Sequence, residues 1–214
     1  MIAMQPNIAT PHPMHIVVAI TGASGTVYGT TLVRQLLQDG QRVALLMSNA
    51  ARQVSALEQQ LEWATDNNMF QQQAQEFFAA SAEQLSCYGE QQFTAPIASG
   101  SAAADAMVIV PSSMGTVARV ATGLSSNLIE RVADVMLKER KKLIIVPRET
   151  PFNSIHLQNL LTLSQTGAII LPAMPAFYSQ PQTVEELINF VVGKICDSLG
   201  LPHRLFLRWG ETHE

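Results

Sequence analysis

The sequence is short of several things, and each shortage removes a class of protein. It has two cysteines, Cys87 and Cys196, far apart and in no C-x-x-C or Cys/His spacing. Neither a disulfide framework nor a zinc site can be built from them, and they read as ordinary reduced thiols. Charge is scarce, at 14% of residues, with a net balance of −4. A broad cationic surface for nucleic acid is therefore not expected, and any anionic ligand has to be met by local positive groups. No apolar run approaches the about 20 residues of a membrane span. The first 14 residues, MIAMQPNIATPHPM, lack the basic segment and apolar stretch of a signal peptide and read as a frayed tail on a cytoplasmic chain. No internal repeat is present. The small bias QQQAQ (71–75) suits a solvated helix face.

What is there is apolar. Of 214 residues, 47% are hydrophobic, enough for one large domain spanning 15–211. A chain of this length buries roughly 70–75% of its unfolded surface. The low charge points to further surface buried between copies in an oligomer. Short β-branched runs alternate with helical patterns: HIVVAI (15–20), RVALLM (42–47), DAMVIVP (105–111), KLIIVP (142–147) and GAIILP (167–172). Strands apolar on both faces and separated by helices predict a parallel sheet covered on both sides, a doubly wound α/β fold. Helices are expected over 27–40, over 48–61 with Ser48 as N-cap, over 71–84, and over 183–199 with a Thr183–Glu186 capping box. The stretch 65–104 otherwise breaks the rhythm.

In such folds ligands sit beyond the carboxyl ends of the strands. That rule selects TGASGTVYG (21–29), Ser48, PSSMGT (111–116), PRETP (147–151) and the loop PAMPAFY (172–178). The first turn matches neither G-x-G-x-x-G nor the P-loop pattern, since its glycines are Gly22, Gly25 and Gly29 and no lysine follows. Ser24 reads either as a ligand-facing hydroxyl or as a plain N-cap. Ser113 and Thr116 can donate to a phosphate, with Gly115 permitting close approach. In PRETP, Arg148 offers bidentate phosphate binding, and Glu149 beside it needs a partner or a proton-transfer role before a helix-starting Thr–Pro. Arg131 and Lys138 stand seven residues apart on one helix face, which a solvated helix also explains. Glu58 alone reads as a surface glutamate and Tyr178 as loop packing. The five histidines show no metal spacing.

Taken together and in order, TGASGTVYG, SNAARQVSALE, ASGS (98–101), PSSMGTVARVATG, NLIERVADVMLKERKKLIIVPRETPF and PAFYSQPQTVEELINFVVGKI strongly resemble the UbiX-type flavin prenyltransferases over nearly the whole chain. The resemblance implies a Rossmann/flavodoxin-like core assembled as a homododecamer from trimers. It implies that reduced FMN receives a dimethylallyl group from dimethylallyl monophosphate across N5 and C6. The product, prenylated FMN, serves a UbiD-type decarboxylase, and no metal is needed. Carried over by motif, Gly22, Ala23, Ser24, Ser48, Ser113, Met114, Gly115, Thr116 and Arg148 contact FMN. Arg131, Lys138, Tyr178 and Lys194 hold the prenyl phosphate, and Ser24, Glu58, Lys138 and Glu149 are catalytic. Lys194 stands where the family usually has arginine, and Met114 contacts through its backbone. Trp209 matches a C-terminal aromatic that reaches a neighbouring active site. Metal-dependent prenyltransferases acting on diphosphates carry DDxxD motifs, and this chain has no two adjacent aspartates. Flavoproteins that decarboxylate cysteine derivatives are one alternative, but their early histidine, PASANT-like turn and PxMNxxMW segment are missing. A non-catalytic FMN-binding subunit is another, against which Lys138, Arg148, Glu149 and Tyr178 are retained.

Overall fold

The computed structural model describes residues 12–210, so most of the N-terminal tail and the last residue of the expected domain lie outside the described residues. The elements in chain order are β1 (His15–Ile20), α1 (Thr26–Gln38), β2 (Arg42–Met47), α2 (Asn49–Gln59), α3 (Asn67–Phe78), β3 (Leu85–Tyr88), β4 (Ala106–Ser112), α4 (Met114–Ala121), α5 (Leu128–Lys138), β5 (Lys142–Pro147), α6 (Ser154–Gln165), β6 (Ile169–Ile170) and α7 (Val184–Leu199). Two single 3-10 turns, Pro96–Ala98 and Gly100–Ala102, precede β4.

The six strands form one sheet in the order β3-β2-β1-β4-β5-β6, and every neighbouring pair is parallel. This is the Rossmann order. With the short edge strand β3 set aside, it is also the flavodoxin order. The central strands are apolar on both faces because helices cover both. Ile16, Val18, Ile20, Val108, Val110, Ile144 and Val146 pack in one layer with α1, α3 and α7. Val17, Ala19, Met107, Ile109, Leu143 and Ile145 pack in the other layer with α4, α5 and α6. Alternate side chains of one strand thus feed two cores, as the period of two requires.

Local chemistry sets the boundaries that differ from expectation. The helix expected over 71–84 runs from Asn67 to Phe78, because the Asp66 carboxylate caps the N–H groups of Asn68 and Met69, and Ala79 leaves in the left-handed region. Strand β3 was not expected. Its four residues, LSCY, bury only alternate side chains at the sheet edge, a weak pattern. Thr150–Pro151 does not start a helix. Asn153 caps α6 in a reciprocal box with His156. At α7, Thr183 accepts from the Glu186 N–H as expected, but the Glu186 carboxylate reaches Gln182, one residue further back. The stretch GAIILP yields only a two-residue strand. In β4, Pro111 has no N–H to donate, and the register against β5 shifts between Ile109 and Ser112. The freed Pro111 carbonyl accepts from both the N–H and hydroxyl of Thr21.

Candidate active site

The strand order reverses between β1 and β4, so the crevice opens beyond their carboxyl ends. Its walls are tied together by short-range chemistry. The Thr21 hydroxyl donates to the Pro111 carbonyl at 2.8 Å and accepts from the Ser113 N–H at 2.8 Å. The Ser48 N–H donates to Ile20, and the Arg148 N–H to Ser112. Arg148 then reaches back across the crevice, its Nε donating to the Ser24 carbonyl at 2.9 Å. The turns after β1, β2, β4 and β5 are therefore held as one unit, and they bring together Gly22–Ser24, Ser48, Ser113–Thr116 and Arg148.

Ser24 is not a helix cap. Gly25 holds the N-cap position of α1 with φ 96°, where a side chain would be strained, and it makes no side-chain cap bond. The cap comes instead from Glu58, near the end of α2. Its carboxylate accepts from the Gly25 N–H at 2.9 Å, the Thr26 N–H at 3.1 Å and the Thr26 hydroxyl at 3.1 Å. Partial burial pushes the Glu58 carboxyl up, but donors from the Ser24 hydroxyl, Gly25 and Thr26 outweigh it and hold it below the usual glutamate value. Glu58 is thus an anion at neutral pH, seated on the positive end of α1 and bonded to Ser24. The donors at this helix end are thus already met by Glu58.

Two other helix ends converge nearby. Ser48 caps α2, accepting from Ala51, and Ser113 caps α4, accepting from Thr116. With Gly22, Ala50 and Arg119 they line a cavity of about 320 Å³. A Cβ on Gly22 would come within 2.5 Å of the Ala50 Cβ, so only glycine allows the two turns to approach. The Ser112 hydroxyl, at the head of the β4 turn, is buried without a partner. Met114 is buried and Gly115 exposed. Glu149 is exposed at the mouth of the β5 turn, where its carboxylate accepts from the Thr150 N–H at 3.0 Å.

The residues expected to hold the prenyl phosphate form two separate groups. Arg131 and Lys138 project from α5. Arg131 donates to the Ala98 carbonyl at 3.1 Å and pairs with Asp134, while Lys138 pairs with Glu139. The segment ASGS explains itself here, because a Cβ on Gly100 would lie 2.7 Å from the Lys138 ammonium. Lys194 and Tyr178 belong to the α7 side. Lys194 pairs with Asp197 at 3.3 Å, and Tyr178 meets Phe190 and Trp209 edge to face. Helix α5 packs on one face of the sheet and α7 on the other. No hydrogen bond or ion pair among the described residues joins the two groups.

Sequence reasoning missed several partners. Asp197 accepts from Lys194, His203 and Arg208. Burial pushes its carboxyl up, but these donors dominate and bring it down to about 2. The Gly193 position lies under His203 and Phe206, so the C-terminal segment docks directly on α7. Tyr28, in the first turn of α1, feels Arg148, although burial keeps its phenol above the usual value. Glu130 is almost fully buried and bonded to Arg119. These contacts span positions whose local sequence carries no signal, apart from the glycine in the middle of α7. Burial pushes the thiols of Cys87 and Cys196 up to about 12, consistent with inert cysteines. Among the described residues no cluster of His, Cys, Asp and Glu could hold a metal ion, and no helix is long and apolar enough to cross a membrane.

A parallel sheet with hydroxyl-rich turns gathered at its switch point defines an α/β protein of the nucleotide-binding kind. The sequence profile of the Flavoprotein family matches residues 7–196. The flavin prenyltransferase UbiX of Pseudomonas aeruginosa is 50% identical over 201 residues, covering 94% of this chain and 96% of that protein. Among solved structures, that of AnUbiX (PadA1) in complex with FMN and dimethylallyl pyrophosphate aligns with a TM-score of 0.83 at 35% identity, covering 94% of this chain and all of that one. A dodecameric FMN-dependent Ubix-like decarboxylase from Escherichia coli O157:H7 aligns with a TM-score of 0.81, also at 35% identity, over 92% of this chain and all of that one. The chain belongs to the flavoprotein family, within its branch of UbiX flavin prenyltransferases.

Proposed function

We propose that the chain joins the dimethylallyl group of dimethylallyl monophosphate to N5 and C6 of reduced FMN, and that the prenylated FMN it releases serves a UbiD-type decarboxylase, in the ubiquinone pathway. It works in the cytoplasm as a homododecamer. The observation that carries the reading is the division of its polar groups. One chain assembles a crevice of hydroxyls, helix ends and Arg148, while Arg131 and Lys138 sit apart from Lys194 on helices that cover opposite faces of the sheet.

The crevice residues fit FMN. Ser48, Ser113 and Thr116 with the ends of α2 and α4 form an anion-binding donor set, and Ser112 keeps a buried hydroxyl without a partner. Gly22, Ala23 and Ser24 would hold the ring system together with Arg148. Met114 and Gly115 would contribute through the backbone. When bound and reduced, FMN supplies the nucleophilic N5 and C6 and takes up the five-carbon unit as a fourth ring.

The chain's own groups do the rest. Glu58 stays ionised and fixes the Ser24 hydroxyl by a hydrogen bond. Glu149, exposed beside Arg148, is the acid/base that returns and removes protons at the reacting carbons. Arg131, Lys138 and Lys194 neutralise the charge that grows on the departing phosphate, and Tyr178 donates a hydrogen bond to it. Since Arg131 and Lys138 lie across the sheet from Lys194 and Tyr178, the phosphate site is completed by neighbouring copies, with Trp209 reaching over from its own tail. In one isolated chain these cations are occupied by Asp134, Glu139 and Asp197. The large apolar side chains exposed on α6, Ile155, Leu157 and Leu161, are surface for such contacts.

The test incubates the protein anaerobically with reduced FMN and dimethylallyl monophosphate, followed by mass spectrometry of the flavin. A product heavier by one C5H8 unit is expected. Recovery of FMN alone, with active protein shown to bind it, would overturn the proposal.

A further inference from the structure

One cation in the crevice lies outside the set implied by the family motifs. Arg119 is in α4, three residues after Thr116, so the two stand on the same helix face. It is the one cationic side chain lining the cavity that Ser48, Ser113 and Thr116 share, among the described residues.

Its placement is built from below. Glu130 in α5 has 1% of its surface exposed, and a carboxylate so buried is costly unless its oxygens are fully met. They are met by the Ser126 N–H at 2.8 Å, the Asn127 side-chain amide at 2.8 Å and the Nε of Arg119. The guanidinium is planar and its donors are fixed in a fork, so binding one edge to Glu130 sets the direction of the other. That other edge turns back over the start of α4. One terminal nitrogen donates to the Thr116 hydroxyl at 3.3 Å, and the other would lie 3.3 Å from a Cβ at Gly115. The Arg119 side chain remains 43% exposed on the cavity side while its partner is buried.

A second carboxylate, Glu90, also borders the cavity. It is seated on the Asn49 N–H at the first residue of α2, at 3.0 Å. With two carboxylates on the wall, the hydroxyls and helix ends alone would receive a dianion poorly. Arg119 offsets Glu130 and brings a cation to the end of α4, where the Ser113 and Thr116 hydroxyls already touch at 3.1 Å.

We propose that Arg119, oriented by the buried Glu130, binds the phosphate of the flavin nucleotide and makes this chain discriminate FMN from riboflavin. The assignment rests on the flavin reading above. The charge-assisted bond is lost only by a ligand that carries the phosphate.

The experiment titrates the full-length protein with FMN and separately with riboflavin, following flavin fluorescence. Arg119→Met is expected to weaken FMN by about 10- to 100-fold and to leave riboflavin within about threefold of its original affinity. Arg119→Lys, which keeps the charge but not the fork, falls between. Because Arg119→Met strands Glu130 and could unfold the chain, the paired variant Arg119→Met/Glu130→Gln removes both charges and is expected to show the same FMN-selective loss. Equal weakening of both flavins, or no change in either, would overturn the role of Arg119 while leaving the flavin reading intact. A parent protein that binds neither flavin would overturn both.

Discussion

The crevice beyond β1 and β4 and the cations of α5 and α7 are both polar regions of one chain, yet they are built on opposite principles. In the crevice every wall is bonded to the next. Thr21 joins β1 to β4, Arg148 joins the β5 turn to Ser24, and Glu58 joins α2 to α1. The donors there were fixed when the strands paired. Arg131, Lys138 and Lys194 instead hang from exposed or half-exposed helix positions, each paired with a local acidic residue on its own helix or just after it, with one further bond from Arg131 to the Ala98 carbonyl. Such pairs contribute about 0–1 kcal/mol and open readily. Under the proposed function, the difference fits a flavin half completed within one chain and a prenyl-phosphate half completed by other copies.

The comparison can be pressed hardest at Glu149. Glu149→Gln keeps the side chain's shape but removes the proposed acid/base. Turnover is expected to fall by about 10²- to 10⁴-fold with FMN affinity unchanged, measured by single-turnover product formation and by flavin titration. Normal turnover would remove Glu149 from the chemistry. Next come the α5 cations. Arg131→Ala or Lys138→Ala is expected to cost about 10- to 100-fold in kcat/KM for the prenyl donor without changing FMN affinity. A comparable loss of FMN binding would show that the two halves are not separate.

A gain is expected at Lys194. Lys194→Arg restores a fork in place of a point charge and should lower the donor KM by about three- to tenfold. An unchanged or raised KM would mean that this chain has adapted its site to the lysine. The smallest effect concerns stability. Glu58→Gln leaves the Gly25 and Thr26 donors facing an uncharged amide and is expected to cost about 1 kcal/mol, read as a lowered melting temperature. The Glu58 carboxyl is held below 4.5, so its contribution is present above that value and is lost as pH falls through the lowered one. Asp197 follows the same sign lower down. Its support of the C-terminal segment is lost only as pH falls from 3.8 toward about 2. Glu58→Gln should therefore flatten the upper part of the acid transition and leave the lower part in place.

How much of this was legible in the sequence follows from the range of each interaction. The strands β1, β2, β4 and β5 were readable because burial on both faces leaves runs such as IVVAI without a polar residue. Their ends located the crevice, since topology alone fixes which turns meet. Strand β3 was not readable, because an edge strand of four residues needs only two apolar side chains. The acidic residues were hidden for a different reason. Glu58 caps a helix 33 residues away, and Glu90 seats on α2 from 41 residues away. In the sequence each is one glutamate among other polar residues. The split of the cations was equally hidden, since Arg131 and Lys194 look alike until the two layers of helices are assigned to faces of the sheet.

The division of labour between one chain and its copies is tested most directly by subunit mixing. Arg131→Ala and Lys194→Ala variants are prepared separately, each with little activity, then dissociated, mixed and reassembled. If neighbouring copies complete the phosphate site, some interfaces in the mixture pair an intact α5 with an intact α7. Prenylated flavin should then form at a rate well above either variant alone, while a chain carrying both substitutions gains nothing on reassembly. Activity of the mixed oligomer no greater than the average of the two variants would contradict it and place all the cations in one chain's own site.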